Sequence, residues 1–84
     1  MRKAVNPAHR YIKLVEWSDE DGCYVGTSPG LMFGGVHGDD EVRVYQELCH
    51  VVEEWIAIYG EDRTPLPEAT AGKDLHRALA IDAP

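Results

Sequence analysis

The chain has 84 residues, with 8 basic side chains against 15 acidic ones and a formal net charge of −7. At that length it makes one domain and buries only about 60–65% of its unfolded surface, so it supports one small core, which a partner or a second copy would help to stabilise. The acidic balance argues against direct nucleic-acid binding, which needs a positive field, and suits a basic protein partner.

Cys23 and Cys49 are too few for a disulfide framework and match no zinc spacing. They read as small buried hydrophobes in a reducing cytoplasm. No apolar run follows Arg2 and Lys3, so no signal peptide is expected, and no stretch approaches membrane-spanning length.

Residues 1–9 read as a loose lead-in. Tyr11-Ile-Lys-Leu-Val-Glu-Trp17 predicts a strand from its aromatic and β-branched content, with Tyr11, Val15 and Trp17 inward. Ser18-Asp-Glu-Asp-Gly22 predicts the turn, and Cys23-Tyr-Val-Gly-Thr-Ser28 the returning strand of a hairpin. The acids Asp19, Glu20 and Asp21 fit a solvated hairpin tip, because their spacing is not that of a calcium loop. Pro29 to Gly35 reads as the turn out of the hairpin.

From Asp40 to Tyr59 the period becomes that of an amphipathic helix of about five turns. Val44, Tyr45, Leu48, Val51, Val52, Trp55, Ile56 and Tyr59 form its apolar face; Arg43, Gln46, Glu47, His50, Glu53 and Glu54 form the polar one. Asp39 or Asp40 caps it, with Asp40 favoured, and Gly60 is the expected terminator. Arg63-Thr-Pro-Leu-Pro67 predicts an extended connector, because two prolines remove amide donors and restrict their neighbours. Residues from Asp74 onward have helix-favouring composition, with Leu75, Ala78, Leu79 and Ile81 on neighbouring rows. The expected fold class is α+β: a small antiparallel sheet, β-β-β-α with room for a further short strand, covered by one long amphipathic helix.

Catalytic chemistry finds little support. A glycine-rich segment before a helix resembles a phosphate loop, but Asp39, Asp40 and Glu41 would repel an anion and no P-loop lysine follows. His37, Asp39 and Asp40 could offer metal ligands, yet no two histidines have helical i, i+4 spacing, and Asp40 is better used as a cap. Ser18, Ser28, Cys23 and Cys49 lie in no nucleophile motif, and His50 sits among helix-face glutamates. No enzyme activity, metal or cofactor is expected. Met32 and Phe33 are large apolar groups in a loop, where such groups serve docking. Trp55 or Tyr59, left partly exposed, would offer a docking anchor.

Taken in order, Tyr11 to Trp17, Asp21-Gly22 followed by Tyr24-Val25, Pro29 and Leu31, Gly38-Asp39 before the helix, Trp55, and Leu66-Pro67 resemble the HicB family of bacterial antitoxins. The resemblance covers about residues 10–68 and lies in order and spacing rather than in one motif. Gly30 replaces the family's usual acid after the proline, Met32-Phe33 its Pro-Gly, Asp40 its capping threonine, and Val42-Arg43-Val44 its common Glu-Glu-Ala.

The resemblance implies a partial RNase H-like, HicB-like fold without catalytic carboxylates. It implies binding to a small basic HicA-type toxin that cleaves mRNA, whose site the antitoxin masks. The tail, residues 69–84, resembles the first helix of a ribbon-helix-helix DNA-binding module, but lacks the ribbon that enters the groove, so this chain alone is expected not to bind DNA. The expected partner contacts are Met32, Phe33, His37, Glu47, His50, Glu53 and Glu54. Homo-oligomerisation in the cytoplasm is expected alongside toxin binding; the alternative expectation is an orphan homo-oligomeric or regulatory module of the same fold without a toxin.

Overall fold

The structure, a computed structural model, describes residues 6–72. Asp-Gly closes the hairpin at the expected place: Gly22 takes φ 68° and its N–H donates to the Ser18 carbonyl at 2.8 Å. Strand β1 (Leu14–Ser18) runs antiparallel to β2 (Cys23–Thr27), with Ser18 opposite Cys23. A third strand, β3 (Val36–Gly38), pairs antiparallel with the other side of β2, placing His37 opposite Val25. The sheet order is β1-β2-β3, and a single helix, α1 (Glu41–Glu61), follows. This is the α+β arrangement of a three-stranded antiparallel sheet and one long helix.

Side chains alternate along each strand, so the register sorts them into two faces. Val15, Trp17, Tyr24, Gly26, Val36 and Gly38 share the face towards α1; Leu14, Glu16, Val25 and His37 share the other. Val44, Leu48 and Val52 of α1 are buried against the sheet, at the i, i+4, i+8 spacing of one helical stripe. Ala8, Tyr11, Leu31, Met32 and Val36 complete the core.

Asp40 caps α1 as expected, its Oδ1 accepting the amides of Val42 at 2.9 Å and Arg43 at 3.1 Å. Glu41 places a negative charge in the first turn, where the helix dipole favours it.

Several expectations are corrected. β1 begins at Leu14 rather than Tyr11, because residues 10–12 turn their polar groups to other partners. The Arg10 carbonyl accepts the amides of Thr70 and Ala71 at 2.8 Å each, and the Ile12 amide donates to Thr70 Oγ1 at 2.7 Å. Tyr11 is buried, but from a loop, with its hydroxyl donating to the Pro67 carbonyl at 2.5 Å. After the proline-marked connector, Thr70 and Ala71 thus bind back on residues 10–12.

The expected lead-in contributes a 3₁₀ turn, Pro7–Arg10, whose Ala8 enters the core. Trp17 shares the face towards α1 as expected, yet it is 52% exposed. It lies at the hairpin end, edge-on to Tyr24 at 5.1 Å, with Nε1 donating to Asp19 Oδ1. α1 runs past Gly60 and ends in a full Schellman closure. Arg63 takes φ 56°, its N–H donates to the Gly60 carbonyl, and the Thr64 N–H reaches back to Tyr59. The expected tail helix from Asp74 lies outside the described residues.

Candidate protein-docking surface

The segment between β2 and β3 decides which apolar groups face solvent. Ser28 anchors it: the fully buried hydroxyl donates to the Ile12 carbonyl at 2.7 Å, and the Ser28 carbonyl accepts the amides of Leu31 and Met32 at 3.2 Å. Gly30 and Gly34 then reverse the chain at φ 87° and 75°. Between these two reversals, Leu31 and Met32 point into the core and Phe33 points out.

Met32 is thus corrected from contact residue to core residue, at 8% exposure, while Phe33 is 87% exposed. The Ser28 carbonyl holds both the Leu31 and Met32 amides on the inner side, and the chain reverses at Gly34 immediately after Phe33. The Phe33 ring stands edge-on to Trp55, with centroids 6.1 Å apart at 64°, and Trp55 leans on Tyr59 at 6.5 Å. Trp55 and Tyr59 are half-buried, and the Tyr59 hydroxyl donates to the Leu31 carbonyl at 3.4 Å. The exposed aromatic therefore touches the helix at Trp55, while Trp55 and Tyr59 are the residues packed against the core.

Glu47, His50, Glu53 and Glu54 are all exposed on α1, as expected. They do not form one patch. At 100° per residue, Glu47 and Glu54 lie on one row two turns apart, and Glu61 extends that row by two more turns. Glu53 lies 100° around the helix from Glu54, on the opposite flank, and His50 faces solvent between them. Val51 and the 52% exposed Ile58 sit between successive glutamates of the row, beside Trp55. Ile58 and Glu61 are not among the expected contacts, although the seven-residue spacing of Glu47, Glu54 and Glu61 is plain in the sequence.

At its N-terminal end this flank opens into a shallow groove of about 260 Å³, lined by His37, Gly38, Asp39, Asp40, Arg43, Val44 and Glu47. His37 turns to the hairpin tip, with Nε2 3.8 Å from Asp21 Oδ2; both groups are half-exposed. Such a pair contributes at most about 1 kcal/mol. Asp40 Oδ1 is committed to the cap. Among the described residues, no three His, Cys, Asp or Glu side chains converge on one point.

On the other flank, Tyr45 sits one turn before Cys49, whose neighbouring charge raises the phenol above its ordinary pKa, with smaller contributions from burial and their hydrogen bond. Among the described residues, no helix is long and apolar enough to cross a membrane. What the arrangement offers is an exposed aromatic against α1 beside a row of glutamates. The chain matches no protein-family model, no curated protein and no solved structure.

Proposed function

We propose that this chain is a HicB-like antitoxin or antitoxin-derived domain that binds and neutralises a small basic HicA-type mRNA-cleaving toxin in the cytoplasm. The observation that carries this reading is the acidic, solvent-facing side of α1 beside an exposed aromatic, Phe33, in a chain of net charge −7. A basic partner meets a complementary field there, which speeds encounter, and an apolar anchor that slows release. The ordered resemblance from Tyr11 to Pro67 supports the same reading, because its positions span the hairpin, the helix cap and the connector of one folded unit.

Inhibition on this reading is stoichiometric masking and requires no catalytic group of this chain. Co-expression with a neighbouring basic toxin gene tests it. Growth should be restored and the two proteins should co-purify; persistent toxicity with no complex would refute the antitoxin assignment.

A second reading is an orphan HicB-fold module that associates with itself. It is favoured by the sheet edges: among the described residues, β1 and β3 each pair with one neighbour only. Sedimentation of the purified chain tests it: a monomer at every concentration would refute this reading, while loss of toxin neutralisation would refute the first.

A further inference from the structure

The geometry points to a defined partner element: a basic amphipathic helix that lies along the Glu47–Glu61 flank of α1 and buries its apolar stripe on Phe33, Trp55 and Ile58. This rests on the protein-docking reading above and specifies what docks and where.

The argument begins with Phe33. A phenylalanine at 87% exposure leaves a large apolar area in water, and isolated exposure of that degree would need no explanation. Here the exposed ring stands beside a second aromatic that is half-buried. Gly30 and Gly34 set the chain reversals on either side, Ser28 holds the inner face of the loop, and Trp55 meets the ring edge-on. An exposed aromatic beside a half-buried one is the kind of side chain from which interface anchors are drawn. Ile58, one turn beyond Trp55 on the same flank, extends the apolar strip.

The rim selects the occupant. Glu47, Glu54 and Glu61 repeat every seven residues along this flank, with Val51 and Ile58 between them. Two turns is also the repeat of a helix packed alongside, so lysines or arginines seven apart on a partner helix would meet all three carboxylates. The stretch from Arg43 to Glu61 is roughly 27 Å long at about 1.5 Å rise per residue, enough for a partner helix of about 18 residues. A second copy of this chain is disfavoured on the same flank, because it would set carboxylates against carboxylates. A nucleic acid is disfavoured for the same reason.

The test uses a synthetic leucine–lysine peptide of about 18 residues ordered as an amphipathic helix, against the same composition in scrambled order, with the full chain and tryptophan fluorescence as readout. The ordered peptide should bind more tightly than the scrambled one. Phe33→Ala should weaken binding by about tenfold or more while leaving the thermal melt unchanged, since the side chain lies outside the core. Glu54→Lys should weaken it much more than Glu53→Lys, which changes the same charge on the opposite flank. Equal binding of the two peptides, unchanged affinity in Phe33→Ala, or equal losses in the two charge reversals would each overturn the inference.

Its failure is separable from that of the antitoxin reading. Neutralisation of a toxin by a Phe33→Ala chain as well as by wild type removes this surface and keeps the antitoxin. Phe33-dependent peptide binding with no toxin captured does the reverse.

Discussion

Val44 on α1 occupies the space that a side chain at position 26 of β2 would need: a Cβ on Gly26 would stand 3.0 Å from Val44 Cγ1 and 3.3 Å from Leu48 Cδ2. The same valine closes on Gly38 of β3, where a Cβ would stand 2.9 Å from its Cγ2. The helix approaches the sheet closely because two strands present hydrogen atoms where others present side chains. Gly26→Ala should therefore destabilise the fold by about 1–3 kcal/mol through overpacking. Urea denaturation measures this. Val44→Ala and Gly26→Ala together should cost less than the sum of the two single losses, and a purely additive double mutant would show that the two sites do not share this contact.

The end of α1 gives a prediction of opposite sign. Arg63 adopts the left-handed conformation that costs a residue with a Cβ about 1–2 kcal/mol, while Gly60, three residues earlier, is helical with open space around its α-carbon. Arg63→Gly should stabilise by about 1 kcal/mol, and Gly60→Ala by about 0.5–1 kcal/mol. For a chain of this size each corresponds to a rise in Tm of several degrees, about 4–8 °C per kcal/mol. A fall in Tm for Gly60→Ala would mean that the helix stops at the glycine after all.

The start of α1 separates two adjacent acids. Asp40→Ala should cost about 1 kcal/mol, since two amides lose their acceptor, whereas Asp40→Asn keeps the acceptor and loses only the charge at the dipole, worth about 0.3–1 kcal/mol. Asp39→Ala, which removes no cap, should lie within about 0.5 kcal/mol of wild type. Thermal melts of the three variants rank them, and equal effects at both positions would remove the distinction.

These elements were legible to different degrees. The helix and its cap follow from period and residue type, and the hairpin from Asp-Gly between two β-rich runs. The third strand was expected in number but not in place, because Val36-His-Gly38 is too short to display alternation. Tyr11, Thr70 and Ser28 escaped because their partners lie far along the chain: Thr70 binds residues 10–12 and Ser28 binds Ile12, contacts that no local pattern announces.

The candidate surface was half visible. Glutamates on one helix face were apparent, but which of them share a flank depends on the angle around the helix. The opposite fates of Met32 and Phe33 depend on backbone torsions at Gly30 and Gly34 that composition alone does not assign.

Ser28 links that loop to the core, and its replacement should act on both. The buried hydroxyl satisfies the Ile12 carbonyl at 2.7 Å. Ser28→Ala removes the donor from a part-buried acceptor and should cost about 0.5–1.5 kcal/mol. The methyl group of alanine fits the site, so the loss reports the hydrogen bond rather than a clash. Because the Ser28 carbonyl also holds the Leu31 and Met32 amides, loosening this residue should free the loop that seats Phe33 against Trp55. In a Trp17→Phe background, leaving Trp55 as the reporter, Ser28→Ala should shift the emission of the folded protein to longer wavelength and raise its quenching by iodide. A stability loss with unchanged Trp55 emission would confine Ser28 to the core and leave the seating of Phe33 to its glycines.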